Sequence, residues 1–218
     1  MRRGEMRVEN RRTKAEAEDG HWCDVLYQMG MPLLYIGAFA AGIIGITSMG
    51  IISRYWSDLS PPMCFLYSKT ASNLIVYRFG TNVGTCTWVT YGGVAALVLA
   101  FITGIVFWIK ARGDDEPSVS IHMVVAGIII STLLMLAVSC TLAEGMRLTC
   151  AAMDLNSANN KGSDCFEKLN TRVSQYNLPV SSSTMVRASM CAMWTSTILF
   201  FIITCFHSLD LYSRSINN

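Results

Sequence analysis

The chain has 218 residues, of which 52% are apolar and 15% charged, with a net charge of +2. A globular domain carries about a quarter charged residues, so this composition excludes an ordinary water-soluble enzyme, and so small a net charge gives no footprint for a nucleic-acid partner. Four stretches lack Asp, Glu, Lys and Arg: residues 22–53 apart from Asp24, then 79–109, 117–143 and 188–209.

Each stretch supplies the roughly 20 apolar residues that a helix rising about 1.5 Å per residue needs to cross a hydrocarbon core of about 30 Å. The sequence therefore predicts an all-α membrane protein, a single four-transmembrane-helix bundle with two small disulfide-stapled exoplasmic loops. Residues 1–31 are expected as a basic cytoplasmic arm and 32–212 as the bundle, with spans over about 32–53, 85–109, 119–143 and 188–210. Residues 213–218 form a short cytoplasmic tail.

In the arm, Arg2, Arg3, Arg7, Arg11, Arg12 and Lys14 are interleaved with Glu5, Glu9, Glu16, Glu18 and Asp19. Lys and Arg near a span hold their end in the cytoplasm while acidic residues count for little, so both termini are predicted cytoplasmic, in the plasma membrane or an endomembrane. The apolar run 31–52 exceeds the 7–15 residues of a signal-peptide core and is expected to be retained as an anchor. Arg at position 2 excludes N-myristoylation.

The first span carries Gly37, Ala41 and Gly45 at four-residue spacing, with Ala38 and Gly42 on the adjacent ridge. Small residues so placed let helix backbones approach closely, which drives association where lipid competes equally for apolar side chains. Similar pairs are Gly92 and Ala96 in the second span, Gly127 and Ser131 in the third, and Ala192 and Ser196 in the fourth. Packing within the bundle and docking of a partner are both open uses of these faces. Trp22 flanks the first span, and Trp56, Trp88, Trp108 and Tyr212 are placed at membrane–water boundaries.

In the first loop, Pro61 and Pro62 stop the helix, and the runs Phe65, Leu66, Tyr67 and Leu74, Ile75, Val76, Tyr77 predict a short hairpin. Lys110 and Arg112 fall in the cytoplasmic turn. His122 opens the third span and His207 closes the fourth, with Asp210 three residues on, and both histidines are expected at the interface in reach of water. Glu144 and Arg147, three apart at the end of the third span, predict a local ion pair. In the second loop, residues 154–162 read as a turn and 165–176 as a helix with Phe166, Leu169 and Val173 on one face.

Of eight cysteines, Cys64, Cys86, Cys150 and Cys165 fall in or beside the two exoplasmic loops, where an oxidising compartment favours disulfides. Pairing Cys64 with Cys86 and Cys150 with Cys165 closes each loop within one connection, while cross-pairing stays open. Cys140, Cys191 and Cys205, inside spans, and Cys23, just before one, are expected as buried small hydrophobes, with palmitoylation of Cys23 or Cys205 as the alternative. No ionisable group lies near the centre of a span, and CxxC, phosphate-loop, HExxH and GxSxG motifs are absent. No catalytic residue, cofactor or metal is predicted.

The Cys-Phe-Leu-Tyr element at Cys64, the cysteine at Cys86, the Gly-Met-Arg-Leu-Thr-Cys exit at Cys150, the Asp-Cys-Phe-Glu element at Cys165 and the Trp194-bearing last span resemble the transmembrane protein 179 family over about residues 32–212. This resemblance implies a small four-span protein with no known enzymatic activity. The architecture is also similar to claudin-like four-span proteins, which include channel accessory subunits, though their first-loop signature is absent.

These features predict a non-catalytic accessory or organising subunit, surrounded by membrane lipids and packed on a larger channel or receptor, with a homo-oligomer also possible. The alternative is a self-assembling pore. Its water-facing stripe would draw on Thr47, Ser48, Thr87, Thr90, Ser131, Thr132, Ser139, Thr195, Ser196 and Thr197.

Overall fold

The four apolar stretches form helices in a computed structural model, which describes residues 2–57, 64–70, 77–80, 83–110, 118–155, 165–166 and 181–217. Helix α1 (Arg2–Ser57) leads to strands β1 (Cys64–Thr70) and β2 (Tyr77–Gly80), then helices α2 (Val83–Lys110), α3 (Ser118–Leu155) and α4 (Ser182–Asn217). Within them, Gly30–Ser57, Val83–Ile109, His122–Ala152 and Ser182–Ser213 are long and apolar enough to cross a membrane. The chain is thus a multi-pass integral membrane protein, and its described residues are helical apart from one hairpin.

Several helices outrun the expected spans. The first 28 residues of α1 continue the first span as helix, so its 56 residues reach roughly 84 Å at about 1.5 Å per residue. Helix α3 continues past residue 143 because Arg147 neutralises Glu144 on its own surface and no Pro or Gly pair interrupts the ladder there. Helix α4 begins at Ser182, where the Ser181 carbonyl accepts the first backbone bond from Met185 N–H at 3.2 Å. The predicted turn and helix of the second loop lie outside the described residues, except that 154–155 close α3 and 165–166 are helical.

The helices form a ring in which α1 packs on α2 and α4, and α3 packs on α2 and α4. Glycines set how closely they meet. A Cβ on Gly45 would come within 2.7 Å of Met193 Cγ and 3.2 Å of its backbone nitrogen on α4, and one on Gly42 within 2.7 Å of Leu97 on α2 and 3.1 Å of Ser196 Oγ on α4. Gly93 admits Ile46 of α1, Gly92 admits Val138 of α3, and Gly127 admits Thr103 of α2. Large side chains fill the spaces left between: Phe39 meets Phe101 and Phe200 edge-on, with Met135, Met193 and Ile203 buried beside them.

The hairpin covers one end of this ring. Its register pairs Cys64 with Gly80, Lys69 with Arg78 and Thr70 with Tyr77, with an irregularity between Cys64 and Lys69. Only Phe79 on β2 stands against residues 65–68 of β1. Tyr67 takes up the excess with φ 58°, in the left-handed region a bulky residue rarely adopts. The resulting bend drives Phe65 and Leu66 into the mouth of the bundle, where both are fully buried. The hairpin expected from the sequence is therefore present, its second strand described over Tyr77–Gly80; residues 71–76 lie outside the described residues.

Gly45→Leu is expected to destabilise the bundle by about 1–3 kcal/mol through overpacking against the α4 backbone. Gly50→Ala serves as the control, since its Cβ would meet Thr90 at an ordinary 3.5 Å and should leave stability unchanged or raise it by about 0.5–1 kcal/mol. Unfolding titrations in mixed micelles measure both, and equal midpoints for the two variants would contradict the seam.

Candidate functional site

Three features of the bundle can engage something else or govern how it does so: the hydroxyls along the helix seams, the hairpin cap, and a buried histidine at the opposite end. A polar group in lipid must bond to something. On α4, Ser189 and Ser196 stand seven residues apart, and their hydroxyls donate to the carbonyls of Gly45 and Ala38 on α1, also seven apart, at 2.9 and 2.8 Å. Ser131 on α3 donates to the Ala96 carbonyl on α2 at 2.6 Å. Between α3 and α4, Ser139 bonds Thr197 at 2.9 Å and Thr132 bonds Thr204 at 2.9 Å. Thr47, Thr87 and Thr195, on the perimeter, instead donate to carbonyls of their own helices.

The small residues marked in the sequence divide accordingly. Gly45, Gly92, Ala96, Gly127, Ser131 and Ser196 are buried in these seams. Gly37, Ala41 and Ala192 are half-buried at their edge, Gly37 facing Leu199. Ser189 was not among the marked positions. Its signal is the seven-residue step to Ser196, which matches the step from Ala38 to Gly45 on the antiparallel partner.

The cap is fixed by covalent and polar ties. Cys64 is bonded to Cys86 and Cys150 to Cys165, with Cα–Cα distances of 5.9 and 5.4 Å. The first tie joins β1 to the start of α2, and the second joins α3 to the segment bearing Phe166. Thr149 Oγ1 donates to the Phe65 carbonyl at 2.9 Å, and Gly145 lets Tyr67 and Leu66 lie directly on α3. The Arg187 guanidinium lies 4.7 Å from the centre of the Phe166 ring, linking α4 to the second disulfide. Trp56, expected at the lipid interface, is instead buried beneath the cap against Phe65, because β1 folds back over the end of α1. Trp88, Trp108 and Tyr212 are exposed on the perimeter.

At the opposite end, His207 departs from its expected role. It is 4% exposed, and its Nε2 lies 3.1 Å from the Tyr35 hydroxyl on α1 while Phe107 of α2 packs edge-on against the ring at 4.7 Å between centroids. The aromatic residues of α1 and α2 close over it before α4 reaches water. His122, in contrast, is exposed. Cys140, Cys191 and Cys205 are likewise exposed rather than buried, because each lies on the outward face of its helix. The side chain of Cys23 lies outside the described residues. Glu144 and Arg147 form the expected pair through two hydrogen bonds of 2.8 and 2.7 Å. Among the described residues, no group of three or more His, Cys, Asp or Glu gathers.

Two outcomes follow from these ties. Ser189→Ala and Ser196→Ala should each lower stability by about 0.6 kcal/mol, with about 1.7 as the ceiling for such bonds in a membrane bundle. Denaturant unfolding in lipid–detergent micelles would expose an error if either change were neutral. Removing the first disulfide as the double change C64A/C86A should loosen the cap by about 3 kcal/mol, seen as faster hydrogen exchange in β1 while α2 and α3 keep their protection.

No family model, curated protein or solved structure matches this chain.

Proposed function

We propose that this membrane protein is a non-catalytic accessory or organising subunit that packs on a larger channel or receptor. The observation that supports this most is how its polar groups are spent. The seam hydroxyls named above bond helix to helix, and those on the perimeter bond their own backbone, so the bundle is a closed packing unit with an apolar outer surface. Catalysis or ion passage in a bundle ordinarily places ionisable groups at membrane depth. Here the buried histidine lies near one end.

The partner contact is assigned to the perimeter and to the cap. Ile36, Ile43, Phe101, Leu133 and Ile198 are exposed outward-facing side chains suited to lipid or to another helix. The cap is pre-ordered by two disulfides, and a pre-ordered surface loses less freedom on binding. Both termini are assigned to the cytoplasm from the basic arm, which puts the hairpin on the exoplasmic side. The resemblance to the transmembrane protein 179 family belongs to the same proposal, carried by the four cysteines and the elements around them.

A self-assembling pore is the second reading. It would need hydroxyls on the perimeter to face water in an oligomer, and Thr47, Thr87 and Thr195 are the candidates. Their bonds to their own carbonyls favour the accessory role.

Affinity purification of the tagged protein in mild detergent, followed by crosslinking mass spectrometry, separates the two. Recovery of a larger membrane protein in fixed ratio, crosslinked through Lys69 or another loop residue, is the expected result. Self-links alone, accompanied by conductance in planar bilayers, would replace the accessory reading with the pore.

A further inference from the structure

Among the described residues, the seams and the cap leave one buried titratable side chain without a task. His207 on α4 is 4% exposed where three helices meet, at the end away from the hairpin. Helix α1 faces it with Tyr35, whose hydroxyl is 3.1 Å from Nε2, and α2 faces it with Phe107, which carries no charge. On its own helix, Asp210 lies three residues further along and is half-buried. The histidine of α3 at this end, His122, is exposed.

We propose that His207 is a proton-operated latch that holds α4 to α1 when neutral and releases α1 when protonated. A neutral imidazole suits its present place, since one ring nitrogen and the Tyr35 hydroxyl satisfy each other in an otherwise aromatic contact. An imidazolium does not. It carries a charge against the rings of Tyr35 and Phe107, and a buried charge needs an opposite charge or water. Asp210 supplies the opposite charge three residues along the same helix, a separation that brings side chains together. In this latch the protonated ring turns from Tyr35 on α1 toward Asp210 on α4, and the tie between the helices is lost.

What the latch controls follows from its position on α1. Pro32 lies just under one turn before Tyr35, and lacking an N–H it leaves the Gln28 carbonyl without its helical donor. Gly30 adds backbone freedom at the same point. Pro32 and Gly30 weaken α1 here, where it joins the membrane span to the long charged extension that begins at Arg2. Release of Tyr35 from His207 loosens that junction, so the angle at which the extension leaves the bundle becomes dependent on pH.

The test is hydrogen exchange of the full-length protein in nanodiscs of zwitterionic lipid, read on peptides covering residues 28–36 and corrected for the intrinsic effect of pH. From about pH 8 to about pH 5, exchange in the wild-type protein should rise by about tenfold. His207→Gln keeps a neutral hydrogen-bonding group and should stay protected throughout, whereas Tyr35→Phe should exchange fast at every pH. Asp210→Asn removes the receiving charge and should move the wild-type transition to lower pH. A flat wild-type profile, or a His207→Gln profile that follows the wild type, overturns the proposal; so does an Asp210→Asn transition at unchanged pH.

Discussion

The structure depends on the close approach of α1 and α4. In lipid, two apolar helices gain nothing by leaving the hydrocarbon for each other, so the attraction must come from contact at short range and from polar groups. Gly42 and Gly45 remove the side chains that would hold the backbones apart, and the space they leave brings the Ala38 and Gly45 carbonyls within reach of Ser196 and Ser189. Glycine and serine act together at this seam. A carbonyl already bonded within its helix has a second lone pair, and the serine hydroxyl uses it without disturbing the ladder.

The other contacts repeat this logic with different parts. Gly127 and Ser131 on α3 present a short smooth face to α2, and Ser139 and Thr132 reach α4 through hydroxyl pairs. The hairpin uses it once more, since Gly145 lets Leu66 and Tyr67 settle on α3 while Thr149 captures the Phe65 carbonyl. The left-handed backbone at Tyr67 is the local cost of this arrangement. It is offset by the burial of Phe65 and Leu66 over Trp56, which seals this end of the bundle.

Much of this was legible in the sequence, because a membrane imposes strong rules on composition. The four spans follow from runs without charge, the hairpin from two β-prone segments, and the Arg147–Glu144 pair from its spacing. What escaped were properties that depend on which way a helix is turned about its axis. Apolar residues surround every span, so no amphipathic pattern shows which face looks inward; Cys140, Cys191 and Cys205 consequently turned out to face outward. His207 and Trp56 escaped for a related reason. Both stand near the end of a span, where water is the usual neighbour, and only the tertiary arrangement shows that Tyr35 and Phe107 cover the one and the hairpin covers the other.

The seam between the first and last helices also sets an order of events during biosynthesis. Ser189 lies 144 residues after its acceptor Gly45, and Ser196 lies 158 after Ala38. At the usual pace of about 5–20 residues per second, α1 waits roughly 7 to 30 seconds in the membrane before its partner is made. Through that interval its glycine face is open to whatever lies beside it, so the nascent chain needs a temporary neighbour, either α2 or a component of the insertion machinery. Completion of the ring is then a late event, reached only when the fourth helix leaves the ribosome and displaces that neighbour.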